Sequence, residues 1–189
     1  MKLLIFLACC VLAYAQAPGR CTAPIAWEGR IIEYDRSKDF AVRAKFSYDA
    51  LNKRTRRVDE IYFDGKREFY DVLQLFDMGK EFAVNLVSRK CEVRPLTISF
   101  REFQIPQNAT FYTEAYIGGT LLGSGVLISA WGGKTDRGDF YSADYTVADC
   151  IPVRDEFYSN RTRGIHTNVY DVTLGISDPN IFVPPKECM

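Results

Sequence analysis

An all-β domain, a sandwich or a barrel, follows from three features of the sequence. Turn signals recur about every eight to fifteen residues. The runs between them alternate apolar with polar side chains, or are rich in β-branched and aromatic residues. Few windows carry the i, i+3, i+4 spacing of an amphipathic helix.

Taken in chain order, residues 1–15 stand apart from the domain. Lys2 supplies a short basic region, Leu3 to Leu12 an apolar core, and Ala13-Tyr14-Ala15 a cleavage pattern before Gln16. The apolar stretch is too short to span a bilayer, so it is expected to be a secretory signal that is removed. Residues 16–189 are then expected to form one domain, with enough chain for a sizeable core.

Its first clear strand is Phe40 to Tyr48, where Phe40, Val42, Ala44, Phe46 and Tyr48 alternate with Ala41, Arg43, Lys45 and Ser47. Arg54 to Phe63 follows, and Asp64-Gly65 marks a two-residue hairpin. Phe69 to Phe76 and Glu81 to Val87 flank a second turn at Asp77 to Lys80. Leu96 to Phe103 alternates as a strand, until Ile105-Pro106-Gln107-Asn108 breaks it. Phe111 to Ile117, Leu121 to Trp131, Asp139 to Val147 and Val169 to Leu174 complete the set. Phe140, Tyr141 and Tyr145 are expected in the core, and Pro152 is expected to end their strand at Cys150. Asp178-Pro179 starts a helical turn, since Asp caps and Pro tolerates the first position.

The cysteines and charges narrow the function classes. Removing the leader leaves Cys21, Cys91, Cys150 and Cys188, an even number in an oxidising compartment. Two disulfides are expected, and the sequence alone allows three pairings. There is no C-x-x-C, and His166 is the one histidine, which argues against a structural zinc site or a redox motif. The mature chain carries 23 basic and 24 acidic residues, so it has no electrostatic footprint for nucleic acid. The sequons at Asn108 and Asn160 place those segments on a secreted surface.

No catalytic constellation is legible. His166 lies in a loop-like stretch with no nucleophile elbow near it. Gly133-Lys134-Thr135 lacks the first glycine of a phosphate loop, since Ile128 stands there. Asp59-Glu60 and Asp155-Glu156 are adjacent on strands, so each pair points to opposite faces. Asp136 to Asp144 lacks the closing glutamate of a calcium loop. The chain is therefore expected not to be an enzyme and to need no catalytic cofactor.

Several motifs together resemble the ependymin-related proteins. They are Cys21-x-Ala23-Pro24-x-x-Trp27-Glu28-Gly29-Arg30, Ser47-Tyr48-Asp49, Ile105-Pro106-Gln107-Asn108-x-Thr110-Phe111, Tyr145-Thr146-Val147-x-Asp149-Cys150-x-Pro152-Val153, and a C-terminal run from Leu174 to Cys188. The resemblance implies two antiparallel sheets stacked like an open clam around an apolar pocket, similar to bacterial lipoprotein carriers. It also implies the crossed disulfides Cys21–Cys150 and Cys91–Cys188. A secreted or lysosomal glycoprotein is implied, homodimeric, with a hydrophobic or lipid ligand, calcium association, and contact with a membrane or matrix surface. On strand alternation, Phe46, Tyr48, Phe82, Val84, Phe100 and Trp131 are the expected lining of the pocket. The alternative class is a matrix or adhesion glycoprotein that acts through its outer surface, its apolar residues being core alone.

Overall fold

The computed structural model describes residues 18–35, 37–159 and 164–189, so the leader and the Asn160 sequon lie outside the described residues. Among the described residues there are eleven strands: β1 (Ala26–Asp35), β2 (Phe40–Asp49), β3 (Arg54–Phe63), β4 (Lys66–Leu75), β5 (Lys80–Asn85), β6 (Cys91–Pro95), β7 (Thr110–Gly118), β8 (Gly125–Lys134), β9 (Phe140–Thr146), β10 (Pro152–Tyr158) and β11 (Ile165–Leu174). They form one antiparallel sheet in the order β6-β5-β4-β3-β2-β1-β11-β10-β9-β8-β7. The two sheets expected from the resemblance are thus two meanders of a single open sheet. They are joined where β1 pairs with β11.

Local chemistry accounts for much of this. Asp64 and Gly65 both sit at positive φ, 49° and 73°, which the β3–β4 turn requires and which Asp-Gly tolerates. Asp178 caps the 3-10 turn Pro179–Phe182, its side chain accepting from the Asn180 N–H. Residues 147–149 turn the chain from β9 into β10, and Cys150 then takes a positive φ of 53°.

Four expectations are corrected. Leu96 to Phe103 is not a strand; pairing stops at Pro95, and residues 96–109 run from the β6 edge to the β7 edge. Its apolar residues serve a different end: Phe100 and Phe103, three apart, pack down onto the sheet, while Ile98 is exposed. Leu121 and Leu122 belong to the β7–β8 turn and not to β8. Pro152 opens β10 rather than closing β9. Phe140 is exposed while Tyr141 and Tyr145 are buried, as the alternation of a one-side-covered strand dictates.

The crossing segment, residues 96–109, divides the sheet into a covered and an open face. It is tied by Leu96 N–H to the Gly79 carbonyl (2.9 Å), Ala23 N–H to the Phe103 carbonyl (2.8 Å) and Ile105 N–H to the Cys21 carbonyl (3.0 Å). Beneath it lie Trp27, Ile31, Val42, Phe46 and Tyr48 from β1 and β2. Phe103 meets the Trp27 and Tyr48 rings edge-on at 5.4 and 5.1 Å, and Phe100 stacks on Tyr48 at 5.7 Å. Farther along the same face, Ile105 and Ala109 pack with Trp131, Tyr141, Ala143 and Tyr145. The Cys21–Cys150 disulfide holds the N-terminal segment against this second cluster.

The opposite face is closed at one end only. There the C-terminal tail lays Phe182 against Leu73 and Phe82, and the Cys91–Cys188 disulfide fastens it to the edge strand. Arg56 supports the tail, bonding Asp71 (2.7 Å) and the Ile181 carbonyl. Both disulfides have the crossed pairing that the resemblance implies.

Candidate functional site

The six expected lining residues are not brought together. Phe46 and Tyr48 sit in the aromatic cluster on the covered face, Tyr48 at 2% exposure, and Phe100 lies above them in the crossing segment. Trp131 is buried in the second cluster of that face, its indole N–H donating to Ser129 Oγ at 2.9 Å. Phe82 and Val84 are on the opposite face, and Phe82 is sealed by the tail. Alternation places residues on one side of a strand or the other. It does not say which side another segment will cover.

A small cavity on the covered face has charged walls. About 240 Å³ lies between Phe46, Phe103, Tyr145, Glu33, Arg57, Arg101 and Asp155. The Arg57 guanidinium binds Glu33 at 2.8 Å and Asp59 at 3.0 Å. Burial raises the Asp155 carboxyl above the usual carboxylate range; the Arg101 charge opposes the rise, and Glu33 and Glu156 add to it. Such walls suit a polar interior and not an acyl chain.

The open face is different. Ile32, Val58, Phe69, Leu86 and Tyr170 form the apolar floor of a cavity of about 570 Å³, with Arg30, Arg43, Lys45, Glu60 and Asp171 around it. Arg30 Nε donates to Asp171 at 2.6 Å, and Arg43 pairs with Glu60 at 3.8 Å. A neighbouring cavity of about 510 Å³ is lined by Val126, Leu127, Val147, Ile151, Pro152, Val153 and Val172, and it shares Tyr170 and Asp171 with the first.

A bulge in β11 builds the shared wall. Glu28 pairs with Thr173 and Arg30 with Tyr170, so Gly29 opposes two residues, Asp171 and Val172. Asp171 takes the left-handed φ of 52° and turns its carboxylate to Arg30. A Cβ on Gly29 would meet the Tyr170 carbonyl at 3.0 Å, so the close approach favours glycine.

None of the five floor residues was in the expected lining. Val58 and Phe69 sit on the face of β3 and β4 opposite to Asp59 and Tyr70, which alternation alone could have grouped. Ile32 was obscured because its neighbour Ile31 is apolar as well, which hides the period of two. Leu86 comes from a turn, where no period exists.

The remaining polar groups are held by one another. His166 Nδ1 lies 3.0 Å from Glu156 Oε1, and its ring stacks on Tyr34 at 4.9 Å. Ser142 donates to the same carboxylate (3.2 Å) and not to the imidazole. Asp155 and Glu156 do point to opposite faces: one lines the covered cavity, the other meets His166. Among the described residues no cluster of three or more His, Cys, Asp or Glu could hold a metal ion. Asp49, Asp59, Asp71 and Asp144 each engage an arginine, so these carboxylates do not fit a calcium site. Asn108 is exposed at the end of the crossing segment. No helix among the described residues is long and apolar enough to cross a membrane.

Comparison with known proteins agrees with this architecture. The family model described as Ependymin matches residues 64–188. The chain is similar to mammalian ependymin-related protein 1 of Mus musculus, 37% identical over 175 residues that make up 90% of this chain and 77% of that protein. Its similarity to the ependymin of Notemigonus crysoleucas is 27% over 187 residues, 97% of this chain and 86% of the relative. In three dimensions it is similar to an uncharacterized conserved protein from Thermus thermophilus, at a TM-score of 0.57 and 11% identity, over 87% of this chain and 88% of the other. That last likeness speaks to the fold alone. The chain belongs to the ependymin family and is a secreted glycoprotein of that type.

Proposed function

We propose that this protein binds a lipid with an acyl chain in the open-face cavity and acts as a carrier, not as a catalyst. The observation that supports the reading is the cavity of about 570 Å³ floored by Ile32, Val58, Phe69, Leu86 and Tyr170. Ligand sites commonly run from about 300 to 1,000 Å³, mostly apolar with a few polar groups. Transfer of a twelve-carbon tail from water contributes roughly 10 kcal/mol at about 0.8 per methylene, before ordering costs, which suffices for micromolar affinity. Three cations on the rim (Arg30, Arg43 and Lys45) face two anions, Glu60 and Asp171, while the Asp59 carboxylate is turned to Arg57 on the covered face; this leaves one positive charge to meet a carboxylate head.

Titration of the delipidated protein with fluorescent fatty acids and lysophospholipids tests this. Saturable binding is expected, weakened at least about tenfold by Val58→Asp or Phe69→Asp in protein that is still folded by circular dichroism. An absence of binding across these classes would overturn the carrier and favour an adhesion glycoprotein that uses its outer surface.

A further inference from the structure

The β7–β8 hairpin ends in a feature that the cavity does not require. Leu121 and Leu122 stand at its apex, 79% and 106% exposed. Below them the cross-strand pair Ile117 and Val126 is half exposed as well. From Ala115 to Gly133 the chain carries no charged side chain. Glycines make the apex tight: Gly118 and Gly123 have positive φ, and a Cβ on Gly125 would come within 2.2 Å of the Gly119 carbonyl.

Ser124 ties the apex together through three internal hydrogen bonds. Gly119 N–H donates to the Ser124 carbonyl at 2.9 Å. The Leu121 carbonyl accepts from Ser124 N–H at 2.9 Å and from Ser124 Oγ at 2.8 Å. We propose that this apex is a membrane-insertion element, with the acyl region of a lipid bilayer as its occupant. Each group bonded within the apex lowers the cost of entering a low-dielectric layer, and the two leucine side chains supply the driving force. Two leucines between glycines are open on every side, which a bilayer can surround. A protein interface presents instead an apolar centre within a polar rim, and the hairpin from Ala115 to Gly133 supplies no charge for such a rim.

The hairpin also adjoins the open face, since Val126 and Leu127 on its returning strand line the second cavity. Insertion would bring that cavity to the lipid surface. What is taken up there rests on the carrier reading; insertion itself does not. The absence of cations at the apex sets the lipid preference: zwitterionic bilayers suffice, and salt has little effect.

The experiment is sedimentation of the intact secreted protein with phosphatidylcholine vesicles at low and high salt. Saturable, salt-insensitive binding is expected. The double variant Leu121→Ser, Leu122→Ser should lower the partition coefficient about a hundredfold, at roughly tenfold per leucine. Leu122→Trp should keep binding and give a tryptophan emission that brominated lipids quench. Binding confined to anionic vesicles and abolished by salt would overturn the proposal. So would a double variant that leaves vesicle binding intact, or one that converts a dimer to a monomer while the parent binds no vesicles. Lipid-free titration with a fluorescent fatty acid separates the two readings. If the parent protein inserts yet binds no fatty acid, the carrier fails and the insertion element stands.

Discussion

The two faces of the sheet are made from the same strands and similar residues, yet one is a core and the other a cavity. On β1 the neighbours Ile31 and Ile32 point opposite ways. Ile31 packs in the aromatic cluster beneath the crossing segment, and Ile32 floors the open cavity. On β2 and β3 the same division separates Val42, 3% exposed, from Val58, 39% exposed. Hydrophobicity therefore does not assign a residue to core or to site in this molecule. The assignment is made by two straps of chain, residues 96–109 across one face and the C-terminal tail across one end of the other.

If that division is right, equivalent changes on the two faces should have unequal costs. Trp27→Ala empties the fully buried centre of the covered face and should cost about 3–5 kcal/mol, read as a lowered denaturant midpoint. Replacing Cys91 and Cys188 together by Ala should cost about 2–4 kcal/mol, since the bond closes a loop across 97 positions. It should also speed proteolysis of the tail, which limited digestion would reveal; an unchanged digestion pattern would mean that Phe182 and the Arg56 bond hold the tail without the disulfide. Val42→Thr should cost about 1–3 kcal/mol by burying a hydroxyl, whereas Val58→Thr should stay within about 0.5. Equal costs for the two valines would break the comparison outright.

The smallest expected effect sharpens it. Burial holds the Asp155 carboxyl above its ordinary range on the covered face. A folded state that binds this proton more tightly than the unfolded chain keeps the associated stability at low pH. It loses that stability as pH rises through the folded-state value. Asp155→Asn should therefore raise Tm by a few degrees at neutral pH, with the gain shrinking as the pH falls into the acidic range. A gain that grew on acidification would show that Arg101 holds the carboxylate charged instead.

What was legible in the sequence was whatever is local. Asp64-Gly65 specifies its turn, Phe40 to Tyr48 specifies a strand with one buried side, and Asp178-Pro179 specifies a capped helical turn. The strand β1 was not legible, because Ile31-Ile32 and the charges Glu28, Arg30 and Glu33 blur its alternation. Nor was the role of residues 96–109, whose sequence resembles a strand although Phe100 and Phe103 meet side chains of the sheet and its backbone pairs only briefly, with Gly79 and with Cys21 to Ala23. The site followed from that one misplacement. Once the crossing segment covers Phe46 and Tyr48, the cavity must lie behind them, among residues whose sequence neighbours look equally apolar. Family resemblance did supply the disulfide pairing, which spacing leaves open among three choices.

The strand order also dictates a history for each molecule. The strands β2 to β6 each pair with the one made just before, and so do β8 to β11, so both meanders can zip up from local hairpins as the chain emerges. The seam between them joins Trp27 to Leu174, almost the whole length of the domain. Until β11 is synthesised, β1 is an unpaired edge next to the aromatic centre of the sheet. A nascent chain in the secretory pathway thus carries an open strand for nearly its entire translation, the condition under which edge-to-edge association is a hazard.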